Sequence, residues 1–305
     1  MNSFYTEDYF KKLQEGSRRS AGEIVPLILK LTQPKSVVDV GCGSGEWLSV
    51  FEEFGVEDYL GIDGDYIDES MLEIPKNKFL PFDLKNPLLT DRQFDLVVSL
   101  EVAEHLPIEC AEIFVDSLTH LGPIILFSAA LPFQGGTNHL NEQWPDYWAK
   151  YFLNRGYLAI DCLRKKLWQN DNVEWWYIQN IFLYIRKDCL ESYALLKREY
   201  EDAALYPLSM VHPKLYTIKI KGLQEWGSGL EKQVAELQEW GSGLEKQVAE
   251  LQEWGSGLEK QVAELQILKP GCISLKNVLR ALPALTKHAF HRKINRFFSK
   301  NNSES

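Results

Sequence analysis

The sequence is poor in the features that mark membrane-spanning and secreted chains. No apolar run approaches the roughly 18 residues needed to cross a bilayer, and Met1 to Leu13 lack the basic then apolar layout of a secretory signal. The five cysteines are scattered, odd in number and without a Cys-x-x-Cys pair. This usage argues against both a disulfide framework and a zinc cluster. We therefore expect a cytoplasmic protein with reduced thiols.

Positive charge is also scarce over most of the chain. The formal net charge is −10, of which residues 223–264 carry −6 and residues 265–305 carry +7, leaving −11 for residues 1–222. An acidic body is unfavourable for long nucleic acids, whose phosphates must be neutralised by basic side chains. A small-molecule partner is the better expectation.

Three of the 20 glycines, by contrast, lie close together in one turn. The β-branched run 37–40 predicts a buried strand, and the apolar periodicity of residues 47–54 predicts a helix. Glycines between them let the backbone approach a ligand at the carboxyl edge of a parallel sheet. The turn holds an acid followed by three glycines at alternate positions, namely Asp39, Gly41, Gly43 and Gly45.

The acids beside this turn select against a phosphate ligand. A dinucleotide fingerprint needs a glycine where Glu46 stands, and its pyrophosphate would be repelled by the carboxylates of Asp39 and Glu46. S-adenosylmethionine carries an ammonium and a sulfonium but no phosphate, so an acidic strand end suits it.

Later predicted strands also end in acids. Asp63 lies 24 residues after Asp39, close to the spacing at which such folds place an acid on the ribose hydroxyls. A carboxylate accepts two hydrogen bonds from a vicinal diol; the alternative is a plain turn residue. Asp83 ends a short third strand, and the apolar fourth strand, 94–100, runs into Glu-x-x-Glu-His-Leu-Pro at 101–107.

In these motifs the chain resembles the class I S-adenosylmethionine-dependent methyltransferases, whose first motif is a strand ending in Asp-x-Gly-x-Gly-x-Gly. The motif at 101–107 resembles that of ubiquinone-type O-methyltransferases. The resemblance implies that Asp83 takes the adenine amino group while Leu84 packs on the ring, although Asp83 can equally be an ordinary strand-end residue. The cofactor residues so implied are Asp39, Gly41, Gly43, Gly45, Asp63, Gly64, Asp83, Leu84 and Glu101.

The alternation of strands and helices down to about residue 190 predicts an α/β, doubly wound sheet. The resemblance implies a mostly parallel, seven-stranded, Rossmann-like sheet. It also implies that a leading helical segment, predicted as one or two helices over 4–31, lies across the cofactor pocket. Arg18 or Arg19 would then meet a carboxylate, or else belong to a solvated turn.

Three residues are candidates for catalysis: His105, His139 and Glu104. A histidine titrates near neutrality and can accept the proton of an acceptor hydroxyl, or it can be structural. If a helix begins near Glu101, then Glu101, Glu104 and His105 share one face, and His139 completes a divalent metal site. That arrangement resembles metal-dependent methyltransferases acting on the terminal 2′-hydroxyl of small RNAs, although the acidic body argues against RNA.

The acceptor itself is left open by the sequence. An oxygen of a sugar or another small metabolite is the first expectation, because of the histidines and an excess of aromatic side chains. A non-catalytic adenosylmethionine-binding scaffold is the competing class. The aromatics form either core or a stacking surface for the acceptor, and they are Trp144, Trp148, Trp168, Trp175 and Trp176.

A fourteen-residue unit then repeats three times without a substitution from Leu223. Leucine recurs every seven residues, as in a coiled-coil seam. The other seam position holds either alternating valine and glycine, as at Val234 and Gly227, or alternating glutamine and tryptophan. We predict a weak oligomerising helix; the alternative is a flexible spacer.

The expected organisation is a methyltransferase domain over 1–200, a linker over 201–222, the repeat over 223–266 and a basic tail over 267–305. The last strands are expected over 156–160 and 175–186. The tail holds a basic amphipathic pattern that docks on an acidic protein surface or, alternatively, lies peripherally on an anionic membrane.

Overall fold

The structure is a computed structural model that describes residues 7–203 and 207–268. The predicted tail lies outside the described residues, apart from its first two positions. Seven strands form one sheet: β1 (Ser36–Val40), β2 (Asp58–Asp63), β3 (Phe79–Pro81), β4 (Leu96–Leu100), β5 (Ile124–Ser128), β6 (Tyr157–Ile160) and β7 (Phe182–Arg186).

Eight α-helices accompany the strands in the described ranges. They are α1 (Glu7–Thr32), α2 (Glu46–Glu53), α3 (Ala111–Leu121), α4 (Pro145–Asn154), α5 (Arg164–Leu167), α6 (Trp175–Asn180), α7 (Ala194–Ala203) and α8 (Pro213–Leu268). None of the helices in this part of the chain is both long and apolar enough to cross a membrane.

The strand order is β3-β2-β1-β4-β5-β7-β6. Neighbouring strands from β3 to β5 are parallel, whereas β7 runs antiparallel to both β5 and β6. The order reverses between β1 and β4, and such a switch point opens the crevice in which doubly wound sheets bind ligands. The predicted doubly wound, mostly parallel seven-stranded sheet is confirmed.

Both faces of the sheet are covered, as a parallel sheet requires. One apolar layer packs α1, α2 and α6 against the sheet, and the other packs α3 and α4 against the opposite face. All five residues of β4 and of β5 are buried. The four described cysteines are free, and Cys42 and Cys162 are buried within the core.

The glycine turn joins β1 to α2 in a conformation that requires glycine. Gly41 has φ 85°, and a Cβ there would overlap the side chain of Val102. Gly45 caps α2 with φ 95°, and a Cβ there would lie 2.9 Å from Ile74 Cγ1. Because L-residues disfavour positive φ, neither position tolerates a side chain without strain.

Two predicted elements differ in the structure. Residues 175–180 form α6 rather than the start of a strand, which begins only at Phe182. No α-helix begins near Glu101, which has φ 56°; the following chain makes one 3₁₀ turn over Ala103–His105. Pro107 comes two residues later, and the residue before a proline is disfavoured in the helical region.

The leading segment is one continuous helix, α1. Its Gln14 amide donates to Ser44 Oγ at 2.9 Å, which places α1 across the glycine turn. The Arg18 guanidinium pairs with Glu53, and that of Arg19 pairs with Glu174. Both arginines therefore brace α1 against its neighbours.

The described chain divides into two compact units at Leu223. Part of the segment predicted as a linker packs within the first unit, where His212 and Leu215 are buried. The Gln179 side chain, also buried, donates to the carbonyl of Met210 at 2.5 Å and accepts from the amide of His212. The repeat lies in α8.

Candidate functional site

Acids from three strand ends meet at the carboxyl edge of the sheet. Asp39 lies in β1, Asp63 ends β2 and Glu101 directly follows β4. The glycine turn borders this edge, since the amide of Gly41 donates to the carbonyl of Ile62 at 2.7 Å. The predicted cofactor residues of the first, second and fourth strands are therefore brought together.

The Asp63 carboxylate anchors the glycine turn. It accepts hydrogen bonds from the amides of Gly43 and Gly64, each at 2.7 Å, and from the Tyr66 hydroxyl at 2.5 Å. Asp63 is buried, whereas Tyr66 is 78% exposed. The exposed phenol thus supplies a hydroxyl donor where ribose hydroxyls are expected to bind. The sequence contained no signal for Tyr66.

Negative charge accumulates beside the turn. Burial raises the pKa of Asp39 well above its usual value, and the charges of Asp63 and Glu46 raise it further. The Glu46 carboxylate accepts from Ser44 Oγ at 2.7 Å. No described cation pairs with Asp39, so a positively charged ligand would relieve the repulsion among these three carboxylates.

Asp83 does not end the third strand as predicted, because β3 ends two residues earlier, at Pro81. Asp83 is exposed and accepts from the amide of Lys85 at 3.1 Å, which is a local turn contact. Leu84 is half-buried and packs on the core layer beside β2. The backbone links this segment to the site, because the Phe82 amide donates to the Asp63 carbonyl at 2.6 Å.

Glu101 is held by amide side chains from distant parts of the chain. Asn180 Nδ2 lies 3.0 and 3.2 Å from its two carboxylate oxygens, and Gln134 Nε2 donates to Oε2 at 2.9 Å. Burial raises the pKa of Glu101, while the hydrogen bonds from Asn180, Ser128 and Gln134 oppose that rise. The sequence did not predict the roles of Gln134 and Asn180, because neither residue belongs to a recognisable motif.

Glu104, His105 and His139 bring their ligand atoms within 4.8 Å of one another. Glu104 is fully buried, and neither of its carboxylate oxygens has a hydrogen-bond partner of good geometry in the described chain, although the Glu101 carboxyl lies close enough to interact with it. Burial raises its pKa well above the usual value, and the charge of Glu101 raises it further. The His105 and His139 rings meet edge to face at 4.9 Å.

The loop after β5 carries His139 to this cluster. The amides of Leu140 and Asn141 donate to the Glu104 carbonyl at 2.7 and 2.9 Å. Glu142 Oε1 lies 2.8 Å from His139 Nδ1 and accepts from the Gly135 amide at 2.7 Å. A carboxylate that accepts from Nδ1 fixes the tautomer and leaves Nε2 unprotonated, as carboxylates beside metal-binding histidines do.

The cluster fits a divalent cation. One carboxylate and two imidazoles form the mixed oxygen and nitrogen donor set that such ions take. A buried, unpartnered carboxylate is costly unless a cation or hydrogen bonds compensate it. Glu101 was expected on one helical face with these residues, but no α-helix begins there, and its carboxylate accepts hydrogen bonds from Asn180 and Gln134.

Residues 6–177 match the family model described as a methyltransferase domain, which is more than half of the sequence. The chain belongs to this methyltransferase family. Its membership confirms the predicted enzyme class and, with it, S-adenosylmethionine as the cofactor of the methyltransferase.

Several solved structures are similar to the methyltransferase at low identity. The methyltransferase domain of bacterial CtHen1-C is 18% identical, with 55% of this chain and 97% of that chain covered and a TM-score of 0.41. DesVI of Streptomyces venezuelae is 17% identical, with 58% and 95% covered and a TM-score of 0.43. Magnesium protoporphyrin IX methyltransferase from Synechocystis PCC 6803, solved with bound SAM, is 18% identical, with 61% and 86% covered and a TM-score of 0.42. No curated protein matches the sequence.

The tryptophans of the methyltransferase divide between core and surface. Trp148 is buried at 2% exposure and packs on Phe127. Trp168 and Trp176 pack against the core, whereas Trp144 is 43% exposed. Trp144 belongs to the loop that carries His139, and that loop also exposes Phe133 and Leu140.

Replacing Gly136 by alanine is expected to impair this site without unfolding the methyltransferase. A Cβ at Gly136 would overlap the His139 imidazole, so the ring must leave the position that Glu142 holds. We expect at least a tenfold loss of Mn²⁺ affinity, about 1.4 kcal/mol, measured by electron paramagnetic resonance. Gly22→Ala is the matched control, because a Cβ there meets nothing within 4 Å; equal losses in both variants would refute the assignment.

Proposed function

We propose that the methyltransferase transfers the methyl group of S-adenosylmethionine to a hydroxyl oxygen of a small acceptor, with a divalent cation held by Glu104, His105 and His139. The observation that carries the proposal is the fully buried Glu104 carboxylate, whose two oxygens lack a described partner beside two imidazoles. The acceptor class we favour is a sugar or a comparable hydroxylated metabolite.

The cofactor half of the site supplies orientation and charge. Bound S-adenosylmethionine supplies a methyl group already activated by the sulfonium, so the protein mainly has to orient the acceptor and remove its proton. Asp63 would accept from the ribose hydroxyls in place of the Tyr66 hydroxyl. Asp39 and Glu46 lie beside the glycine turn, and a cation such as the ammonium or the sulfonium would oppose the rise in the pKa of Asp39 that burial and the neighbouring acids cause.

The acceptor half activates the hydroxyl. Glu104, His105 and His139 would hold a divalent cation, which would supply Lewis acidity that lowers the pKa of an acceptor hydroxyl, so that its proton could pass to solvent. Partial burial lowers the pKa of His105, which favours the neutral imidazole, the form that can donate a lone pair to a cation. Glu142 orients His139 through Nδ1. In the metal-free alternative, the same His139 and Glu142 pair acts as the general base.

Charge and shape favour a small acceptor over RNA. Residues 1–222 carry a formal charge of −11, whereas binding along a phosphate backbone requires a basic surface. The exposed side chains of Phe133, Leu140 and Trp144 lie on the loop that bears His139. Aromatic faces of this kind stack on the apolar faces of sugars and planar groups.

The test is transfer of tritium-labelled methyl from S-adenosylmethionine to matched acceptors. Sugars and phenols are paired with analogues in which the reacting hydroxyl is absent or replaced by an amine. We expect label only in hydroxyl acceptors, loss of transfer in excess chelator and recovery with added Mn²⁺. Full activity in chelator would reject the cation, and labelling of amines alone would reject oxygen as the acceptor atom.

A further inference from the structure

We propose that the repeat helix pairs in parallel with the same helix of a second copy of this chain. The proposal concerns the repeat alone and is independent of the acceptor. The repeat seam is the set of residues reached from Leu223 by alternating steps of four and three. Every second member is a leucine, and the members between the leucines are alternately glycine and valine. Its members are Leu223, Gly227, Leu230, Val234, Leu237, Gly241, Leu244, Val248, Leu251, Gly255, Leu258, Val262 and Leu265.

The first observation is that apolar side chains of the repeat are exposed to solvent on a long helix. Helix α8 runs without interruption from Pro213 to Leu268. Among the exposed large apolar side chains of the repeat, the exposed fraction ranges from 39% at Leu244 to 67% at Trp226. Apolar side chains that are exposed along several consecutive turns of a helix indicate an interaction site.

The second observation is that this helix is weak by itself. Each unit contains two glycines, as at Gly227 and Gly229, and each glycine costs about 1 kcal/mol of helix propensity relative to alanine. Isolated helices depend on packing of an apolar face for most of their stability. A described helix with six such glycines over three units therefore needs a partner along its seam.

The period of the seam specifies how the partner packs. Leucine recurs every seven residues without a slip, and a strict seven-residue repeat imposes a left-handed supercoil because a straight helix drifts by about 20° per heptad. Valine and leucine at the two seam positions favour two parallel strands. This choice assigns leucine to position d and alternating glycine and valine to position a.

Pairing with a second helix would give the glycines of the seam a function. A Cβ at Gly227, Gly241 or Gly255 would meet nothing within 4 Å inside the chain, so no intrachain contact requires glycine there. Each seam glycine is preceded by a tryptophan at position g, as Trp226 precedes Gly227. Indole rings from both helices can cover the space that the missing side chains leave.

Charge and size are compatible with a second copy. In a parallel pair without a shift, position g faces position e of the next heptad, so Trp226 meets Glu231 and Gln233 meets Gln238. No like charges oppose each other. Six heptads with four contacting positions each give about 24 residues per chain, within the roughly 20–30 residues a side of a stable interface.

A second copy of this chain is also the simplest partner for the seam, because it carries the same seam. The three units are identical, so every layer of one seam has the same layer available on another copy. An unrelated partner would need a matching fourteen-residue period over the same length. Self-complementarity of this kind is what a two-fold symmetric pair uses.

The test uses sedimentation equilibrium of the full chain. The seam variant replaces Leu230, Leu244 and Leu258 together by lysine, and the matched control replaces Ser228, Ser242 and Ser256 by lysine. The control adds the same charge to the same units at position b, outside the seam. We expect a mass of twice 35.2 kDa for the wild type and the control, and 35.2 kDa for the seam variant.

A wild-type mass of one chain, or a seam variant that still pairs, would overturn the proposal, and a trimer would overturn its two-stranded geometry. A second variant guards against misfolding. Alanine at Gly229, Gly243 and Gly257, which occupy position c, is expected to raise helicity by circular dichroism and to tighten pairing at least tenfold. Unchanged pairing in this variant would show that helix stability does not limit association and would contradict the account.

Discussion

Asp63→Ala is expected to weaken the binding of S-adenosylhomocysteine by about 100- to 10,000-fold, because hydrogen bonds to a charged group contribute about 1.5–3 kcal/mol each and a ribose offers two hydroxyls. The same carboxylate holds the amides of Gly43 and Gly64 at 2.7 Å. Its removal therefore loosens the glycine turn as well. Equilibrium dialysis with labelled S-adenosylhomocysteine measures the effect.

Asp65→Ala is the matched control for this prediction. Asp65 is an acid two residues further along the same turn, but it is exposed and does not take part in the hydrogen bonds described above for Asp63. Its replacement should leave affinity within about twofold, less than 0.5 kcal/mol. If Asp63→Ala binds as tightly as Asp65→Ala while remaining folded, Asp63 is only a turn residue.

Glu104→Gln is expected to abolish Mn²⁺ binding and to lower kcat by at least about 100-fold, since it removes the charge of a buried ligand while preserving its shape. The same substitution should raise the melting temperature of the metal-free protein. Its carboxyl pKa is raised by burial, so the folded state binds more protons than the unfolded chain. Stability of the metal-free wild type should then fall as the pH rises above about 4.3, the ordinary value for glutamate.

Two comparisons check this second prediction. Glu109→Gln removes an exposed acid five residues away and should change neither Mn²⁺ affinity nor kcat. Added Mn²⁺ should raise the melting temperature of the wild type above that of its metal-free form, and it should leave Glu104→Gln unaffected. A wild-type protein that Mn²⁺ does not stabilise would count against the cation site.

The strand-end acids could be predicted because their signals are local. Asp39 and Asp63 each end a buried apolar run, and parallel strands place their carboxyl ends at one edge. The order of the elements then predicted the doubly wound sheet. The glycine at position 41 also indicates the backbone conformation there, because the positive φ of Gly41 suits only glycine.

The partners of the site could not be predicted in the same way. Gln134 comes from a loop and Asn180 from the end of α6, and only the folded chain brings both to Glu101. Tyr66 and Glu142 likewise act through contacts that leave no periodicity in the sequence. Residues 175–180 were wrongly predicted as strand because aromatic side chains favour strands, a preference that tertiary context overrides.

The helical spacing of Glu101, Glu104 and His105 was misleading for a related reason. It suggested one shared face, but the chain passes through a left-handed residue and a single 3₁₀ turn. Glu104 and His105 nevertheless reach His139, because the loop after β5 bonds to the Glu104 carbonyl. The cluster of Glu104, His105 and His139 thus depends on a contact with a loop, and helical periodicity in the sequence gives no information about such a contact.

Calorimetric titration of the full chain with S-adenosylhomocysteine tests the central claim, a cofactor site at the carboxyl edge of the sheet, most directly. We expect one site per chain with a dissociation constant near the micromolar range, about −8 kcal/mol. Absence of binding to demonstrably folded protein would contradict it, because the glycine turn and its acids would then not form a cofactor site.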